Sequence, residues 1–167
     1  EFTNDHLESL GDPPIGGQEF SMVFCSPLVY IEEVAKILGA SHLEHEAFLG
    51  AQDITLEDKA ALTGEITGPT FKKLGVQYVI IGHSERRWKL RESDEVVNKK
   101  LKLTLRNELI PIVCIGEKEK NNYTKKFLEE QIKNTFDGLS ADEIRKCVVA
   151  YEPVWAIGTG KNCSVDE

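Results

Sequence analysis

Tyr78-Val79-Ile80-Ile81-Gly82-His83-Ser84-Glu85-Arg86-Arg87 joins a short apolar run to a glycine and then to a dense polar cluster. An apolar run this short, bounded by a turn residue, reads as a strand and not a helix. Four similar runs flank it: Met22-Val23-Phe24-Cys25, Phe48-Leu49-Gly50-Ala51, Ile110-Pro111-Ile112-Val113-Cys114-Ile115 and Cys147-Val148-Val149-Ala150-Tyr151. They recur at intervals of roughly 25 to 40 residues with amphipathic stretches between them, the spacing of successive βα units. Their continuity, in place of strict alternation, predicts parallel strands covered on both faces. The fold class is therefore α/β, either a barrel or an open doubly wound sheet.

Between the runs, Val97, Leu101 and Leu105 recur at helical spacing, as do Leu128, Ile132 and Phe136, which predicts two helices that bury these stripes in the core. Ser140-Ala141-Asp142-Glu143 and Ser164-Val165-Asp166-Glu167 both fit the capping box, in which Ser and Glu side chains satisfy the free N–H groups at a helix start. The second box predicts a helix that begins at Ser164 and continues past Glu167. Residues 1–20 contain Gly11-Asp12-Pro13-Pro14 and Gly16-Gly17 and read as a loop with a short helical remnant. With no linker and no repeat beyond the βα period, residues 1–167 read as a single domain. Lys99-Lys100 and Glu117-Lys118-Glu119-Lys120 read as solvated helix faces or loop tips.

The 167 residues are 41% hydrophobic and 29% charged, a balance that supports one sizeable core. A net charge of -8 argues against sequence-independent nucleic-acid binding, which depends on clustered Lys and Arg, and favours a small-molecule role. No apolar run approaches the ~20 residues of a membrane span, and no charged-then-apolar leader opens the chain. Cys25, Cys114, Cys147 and Cys163 form no C-x-x-C pair, and three of them sit in apolar runs, so a reducing cytoplasm is the simplest setting.

His83 stands at the C-terminal end of a strand, where parallel α/β sheets place their sites. A lone histidine there is often structural, but the polar residues Ser84 to Arg87 behind it can surround an anion or order a loop. Glu152 repeats the position at the end of the last run, ahead of a proline that stiffens the exit. It can serve as a general base, or it can pair with a neighbouring cation. Pro153-Val154-Trp155-Ala156-Ile157-Gly158-Thr159-Gly160-Lys161 then places an apolar tip between a proline and a glycine pair, the make-up of a lid. A phosphate-cradling G-x-x-x-x-G-K-[ST] loop fails here, because Trp155 stands where its first Gly is needed and Asn162 where its Ser or Thr is. No set of His, Cys, Asp or Glu has metal-site spacing, and no G-x-S-x-G occurs, so a site without metal or cofactor is expected.

Together these motifs resemble the triosephosphate isomerase family, with further likeness in the same order at Gly50-Ala51-Gln52, Leu62-Thr63-Gly64-Glu65 and Cys114-Ile115-Gly116-Glu117. The resemblance implies a TIM (β/α)8 barrel in which residues 21–167 supply strands 2 to 6 while strands 1, 7 and 8 are not represented. It implies interconversion of dihydroxyacetone phosphate and glyceraldehyde 3-phosphate through an enediolate, with Glu152 as base, His83 as electrophile and Glu85 as supporting carboxylate. Ser84 and Gly158 would bind substrate, Pro153 to Lys161 would form the lid, and Gln52, Thr63, Gly64 and Glu65 would belong to a loop that enters the partner of a homodimer. Cys114 would pack near Glu152, and Arg87 would pair with a carboxylate.

Departures from the family pattern accompany the likeness. The family's first-strand Asn and Lys have no counterpart before Met22, Asp53 stands where Asn is usual, and the chain is about 80 residues short of the ~250 of a typical barrel. Two expectations follow, an isomerase whose 167-residue piece is inactive alone, and a non-catalytic barrel fragment that acts as an interaction module.

Overall fold

Met22–Ser26 (β1), Ala47–Ala51 (β2), Tyr78–Ile81 (β3), Ile110–Ile115 (β4) and Val148–Tyr151 (β5) form one sheet in the order β1-β2-β3-β4-β5, every neighbouring pair parallel. The structure is a computed structural model that describes residues 21–40, 47–59, 62–121, 123–160 and 163. The loop expected over residues 1–20, the capping box at 164–167 and Lys161 lie outside the described residues. Helices Ile31–Ala40 (α1), Gly68–Lys73 (α2), Ser84–Trp88 (α3), Asp94–Arg106 (α4), Thr124–Thr135 (α5) and Ala141–Ile144 (α6) lie between the strands. A strand order that follows the chain without a reversal is the progression of a (β/α)8 barrel. It removes the doubly wound alternative, whose strand order reverses at a switch point. Each expected strand is present with its ends shifted by at most a residue.

The core forms where strands meet helices. Ala51, Val79, Ile81 and Val113 are fully enclosed, and they share one buried cluster with Val97 and Leu101 of α4 and Ile31, Val34 and Leu38 of α1. Helix α4 begins at Ser93, whose hydroxyl accepts from the Val96 N–H, and α6 begins in the full capping box that the sequence predicts at Ser140 and Glu143.

Three expectations are corrected. Coverage on both faces holds only in part: β2 buries four of its five residues, but buried and half-buried residues alternate along β3, and in β5 Val148, Val149 and Tyr151 are all exposed. Among the described residues no strand pairs with the outer edge of β5, so its side chains meet solvent where a further βα unit would cover them. The stripe Leu128, Ile132, Phe136 is not a core stripe throughout, since Ile132 is exposed and α5 buries Gln131 and Thr135 instead. Polar side chains win there because their partners are polar: Gln131 Oε1 accepts from the Gly116 N–H at 2.9 Å, and Thr135 Oγ1 lies 3.3 Å from Arg87 Nη2. Finally, Lys100 and Glu117 are buried, not solvated.

An exposed parallel edge with apolar side chains is a template for association. The 167-residue chain is expected to sediment above its monomer mass of 18.7 kDa, increasingly so with concentration. Val149→Lys, at a site 52% exposed, is expected to lower that mass without altering the unfolding midpoint. Equal sedimentation of parent and variant would remove β5 as the adhesive edge.

Candidate active site

The site is built around the turn that leaves β3. Gly82 has a φ of 68°, and a Cβ there would stand 2.8 Å from Val97 Cγ1 and 2.9 Å from Arg87 Nη2, so only glycine lets the chain leave the strand at this angle. His83 follows as the N-cap of α3, its Nδ1 accepting from the Glu85 N–H at 3.3 Å. A ring nitrogen that accepts from the backbone carries the lone pair, which leaves the imidazole proton on Nε2. That Nε2 lies 3.1 Å from Glu152 Oε2.

Glu152 comes from the end of β5, 68 residues along the chain from Ser84, whose N–H donates to its Oε1 at 2.6 Å. Its backbone is fixed as well, since the Glu152 N–H donates to the Ile115 carbonyl at 2.8 Å. Gly116, next in β4's exit, has no room for a side chain because the Glu152 carbonyl passes over its Cα. The expected neighbour Cys114 is in place: burial, then the charge and hydrogen bond of Glu152, push its thiol up to about 12. Cys114 therefore stays protonated and apolar beneath the carboxylate.

Glu85 is the least engaged of the expected catalytic residues. Its N–H is capped by His83, but its exposed carboxylate accepts from Lys89 Nζ at 2.7 Å, a bond that holds it below the usual carboxylate range. One of its oxygens stays 4.0 Å from His83 Nδ1. His83, Glu85, Arg86 and Lys89 share with Gln52, Asp53, Ile80 and Leu90 the walls of a cavity of about 400 Å³.

The described part of the expected lid, residues 153–160, is a series of turns. The Ala156 N–H donates to the Pro153 carbonyl at 2.9 Å and the Ile157 N–H to the Val154 carbonyl at 3.2 Å. Gly158 and Gly160 have φ of 69° and 70°, a Cβ on Gly158 would touch nothing, and residues 157–160 are exposed. Pro153 is buried at its root. In the loop likened to a partner-entering segment, Gln52 Nε2 donates to the Cys25 carbonyl at 3.2 Å, while Thr63, Gly64 and Glu65 form an exposed turn, with Gly64 at a φ of 88°.

Two charged groupings escaped the sequence reading. Glu117 is only 4% exposed. Its carboxylate accepts from the Tyr151 hydroxyl at 3.1 Å and from Trp155 Nε1 at 2.6 Å, and its carbonyl accepts from the Val154 N–H at 2.9 Å. Lys100 donates to Asp53 at 2.7 and 2.8 Å and to Glu92 at 2.7 Å, while Arg86 reaches both carboxylates at 2.7 Å. Spacing held a signal for Lys100, which lies three residues after Val97 and beside Leu101, on the face of α4 that is buried. Among the described residues no group of three or more His, Cys, Asp and Glu side chains converges as a metal site does, and no helix is long and apolar enough to cross a membrane.

A carboxylate and an imidazole N–H facing each other at a strand-end opening can take a proton from carbon and donate to the neighbouring oxygen. The family model described as triosephosphate isomerase matches residues 3–167. The chain is similar to the triosephosphate isomerase of Moorella thermoacetica, 44% identical over 95% of this chain and 63% of that protein. It is 44% identical to that of Alkaliphilus metalliredigens over 87% of this chain and 58% of the relative, and 41% identical to that of Lactobacillus delbrueckii subsp. lactis over 100% and 64%. The chain thus spans about three fifths of the length of the curated relatives it matches. By the match to the family model over residues 3–167 and by these relatives, the chain belongs to the triosephosphate isomerase family.

Proposed function

We propose that the protein of which these residues form part interconverts dihydroxyacetone phosphate and glyceraldehyde 3-phosphate, with Glu152 as the base and His83 as the electrophile. The observation that carries this is the convergence of Glu152 Oε2 on His83 Nε2 at 3.1 Å from strands far apart in sequence. In the arrangement described, the carboxylate is held by the Ser84 N–H and by His83. A substrate carbonyl that enters beside the ring takes over the Nε2 donor, and Glu152 is released towards the adjacent carbon. It removes a proton there, the negative charge moves to oxygen as an enediolate stabilised by the His83 donor, a proton passes from the neighbouring hydroxyl to that oxygen, and Glu152 returns its proton to the other carbon.

Supporting parts follow from their places. The first turn of α3, with the Ser84 N–H exposed once Glu152 moves, offers a donor to substrate. Gly158 sits at the tip of the lid, where a residue without Cβ lets the backbone N–H approach a phosphate as residues 153–161 close. Glu85, linked to His83 through its own N–H, is a supporting carboxylate. Gln52, Thr63, Gly64 and Glu65 form the loop assigned to a homodimer contact. Cys25, Cys114 and Cys147 carry thiols and not disulfides, in keeping with a cytoplasmic setting.

A second reading rests on the exposed Val148, Val149 and Tyr151 of β5. The 167 residues alone would then be a barrel piece that binds other chains without catalysis. On that ground the isolated chain is expected to interconvert the two triose phosphates no faster than buffer. A rate well above background would overturn the expectation.

In the full-length product, Glu152→Asp draws the carboxylate back by a methylene and is expected to lower kcat roughly a hundredfold or more, since displacement of a reacting group by about 1 Å costs that much. A kcat near the parent value would remove Glu152 as the base. His83→Ala is expected to lower kcat by about 10²–10³, the loss typical of a missing oxyanion donor, with a smaller change in KM. A change confined to KM would reassign His83 to binding.

A further inference from the structure

Trp155, at the root of the lid, is gripped in two directions by one loop. Its edge is fixed by the bond from Nε1 to Glu117 Oε1 at 2.6 Å. Its face lies under Lys120, whose Nζ is 5.4 Å from the ring centroid. An ammonium within about 6 Å of an indole face is attracted by the negative charge of the π cloud. Glu117 is anchored independently by the Tyr151 hydroxyl, and its carbonyl holds the Val154 N–H. Beyond Trp155 these anchors stop: Ile157 is 51% exposed and Gly158 stands in open space.

We propose that Lys120 is a positioning residue of the lid, whose charge over the indole face favours the Trp155 position bonded to Glu117. The interaction exists only while the ring lies beneath the ammonium, so it biases one lid position over any other. Lys118, on the same loop, supplies a control of equal charge. The proposal rests on residues 153–161 acting as a lid, but its readout needs no substrate.

Trp88 and Trp155 are the chain's two tryptophans, so a Trp88→Phe background leaves Trp155 as the reporter. Acrylamide quenching and the emission maximum are measured for this background and for Lys120→Met, Lys120→Gln, Lys120→Arg and Lys118→Met, with far-UV circular dichroism as the check on folding. Lys120→Met and Lys120→Gln are expected to raise the quenching constant about twofold, within what an exposed cation–π pair supports. Lys120→Arg should restore the background value, and Lys118→Met should leave it unchanged. Quenching unaltered in both neutral variants, no rescue by arginine, or an equal shift from Lys118→Met would each overturn the proposal. An unaltered signal would leave the isomerase assignment standing, whereas loss of that assignment through Glu152→Asp would leave the contact of Lys120 with Trp155 standing.

Discussion

The geometry of the candidate site depends on the buried guanidinium of Arg87. Its Nε donates to the Gly82 carbonyl at 2.7 Å, Nη1 to Asp94 at 2.6 Å, and Nη2 to the Cys114 carbonyl and Thr135 Oγ1 at 3.2 and 3.3 Å. One side chain thus ties the exits of β3 and β4 to the start of α4 and the end of α5. A buried cation is tolerated only when it is paired and its donors are satisfied, and removing one partner of such a pair costs about 3–5 kcal/mol. Gly82 precedes His83 and Cys114 adjoins Glu152, so the exit of β3 and the strand beside Glu152 are held through the same guanidinium. The 3.1 Å separation of His83 and Glu152 is a consequence of that tie together with the register of β4 on β5, where Ile115 lies opposite Tyr151.

Helix α3 divides its two arginines between separate tasks. Arg87 turns into the sheet, whereas Arg86 turns to Asp53 and Glu92 and joins Lys100 in a cluster of two cations and two carboxylates. Burial works to raise the Glu92 carboxyl, but the hydrogen bonds and charges of Arg86 and Lys100 outweigh it and hold it below the usual range. The cluster has no net formal charge, which is the condition under which four ions can be buried at modest cost. It lies under the turn at Thr63, Gly64 and Glu65, and Glu65 adds its own field at Arg86. Asp53 is what makes the balance even.

The local signals in the sequence were sufficient for most of the fold. Five apolar runs became five strands, and the capping box at Ser140 became a helix start, because each depends on neighbours within a few residues. Failures occurred where the partner is remote. Lys100 meets Asp53 across 47 residues and Tyr151 meets Glu117 across 34, so a window that counts charges sees only solvated lysines and glutamates. Gln131 and Thr135 show the same limit, since polar residues occupy the buried face of α5 to satisfy Gly116 and Arg87. At the site, His83 and Glu152 could be marked by their strand ends, but the Ser84 N–H that holds the carboxylate, and the pairing of Glu85 with Lys89, required the folded chain.

Glu117 and Gly116 place Glu152 and residues 153–155 under the control of a single turn after β4. Gly116 gives the Glu152 backbone its passage, and the Glu117 carbonyl and carboxylate hold Val154 and Trp155. From Ile157 to Gly160 the backbone is exposed and carries two glycines with positive φ, with no hydrogen bond to the sheet among the described residues. Motion of the tip therefore does not require motion of the Glu152 backbone, which is bonded to Ile115. In the proposed reaction, a base that must return to one position and a lid that must leave it can share a strand end only if a rigid segment separates them. Buried Pro153 and the bonded Val154 supply that separation, since the ring fixes φ and the Val154 N–H is already engaged.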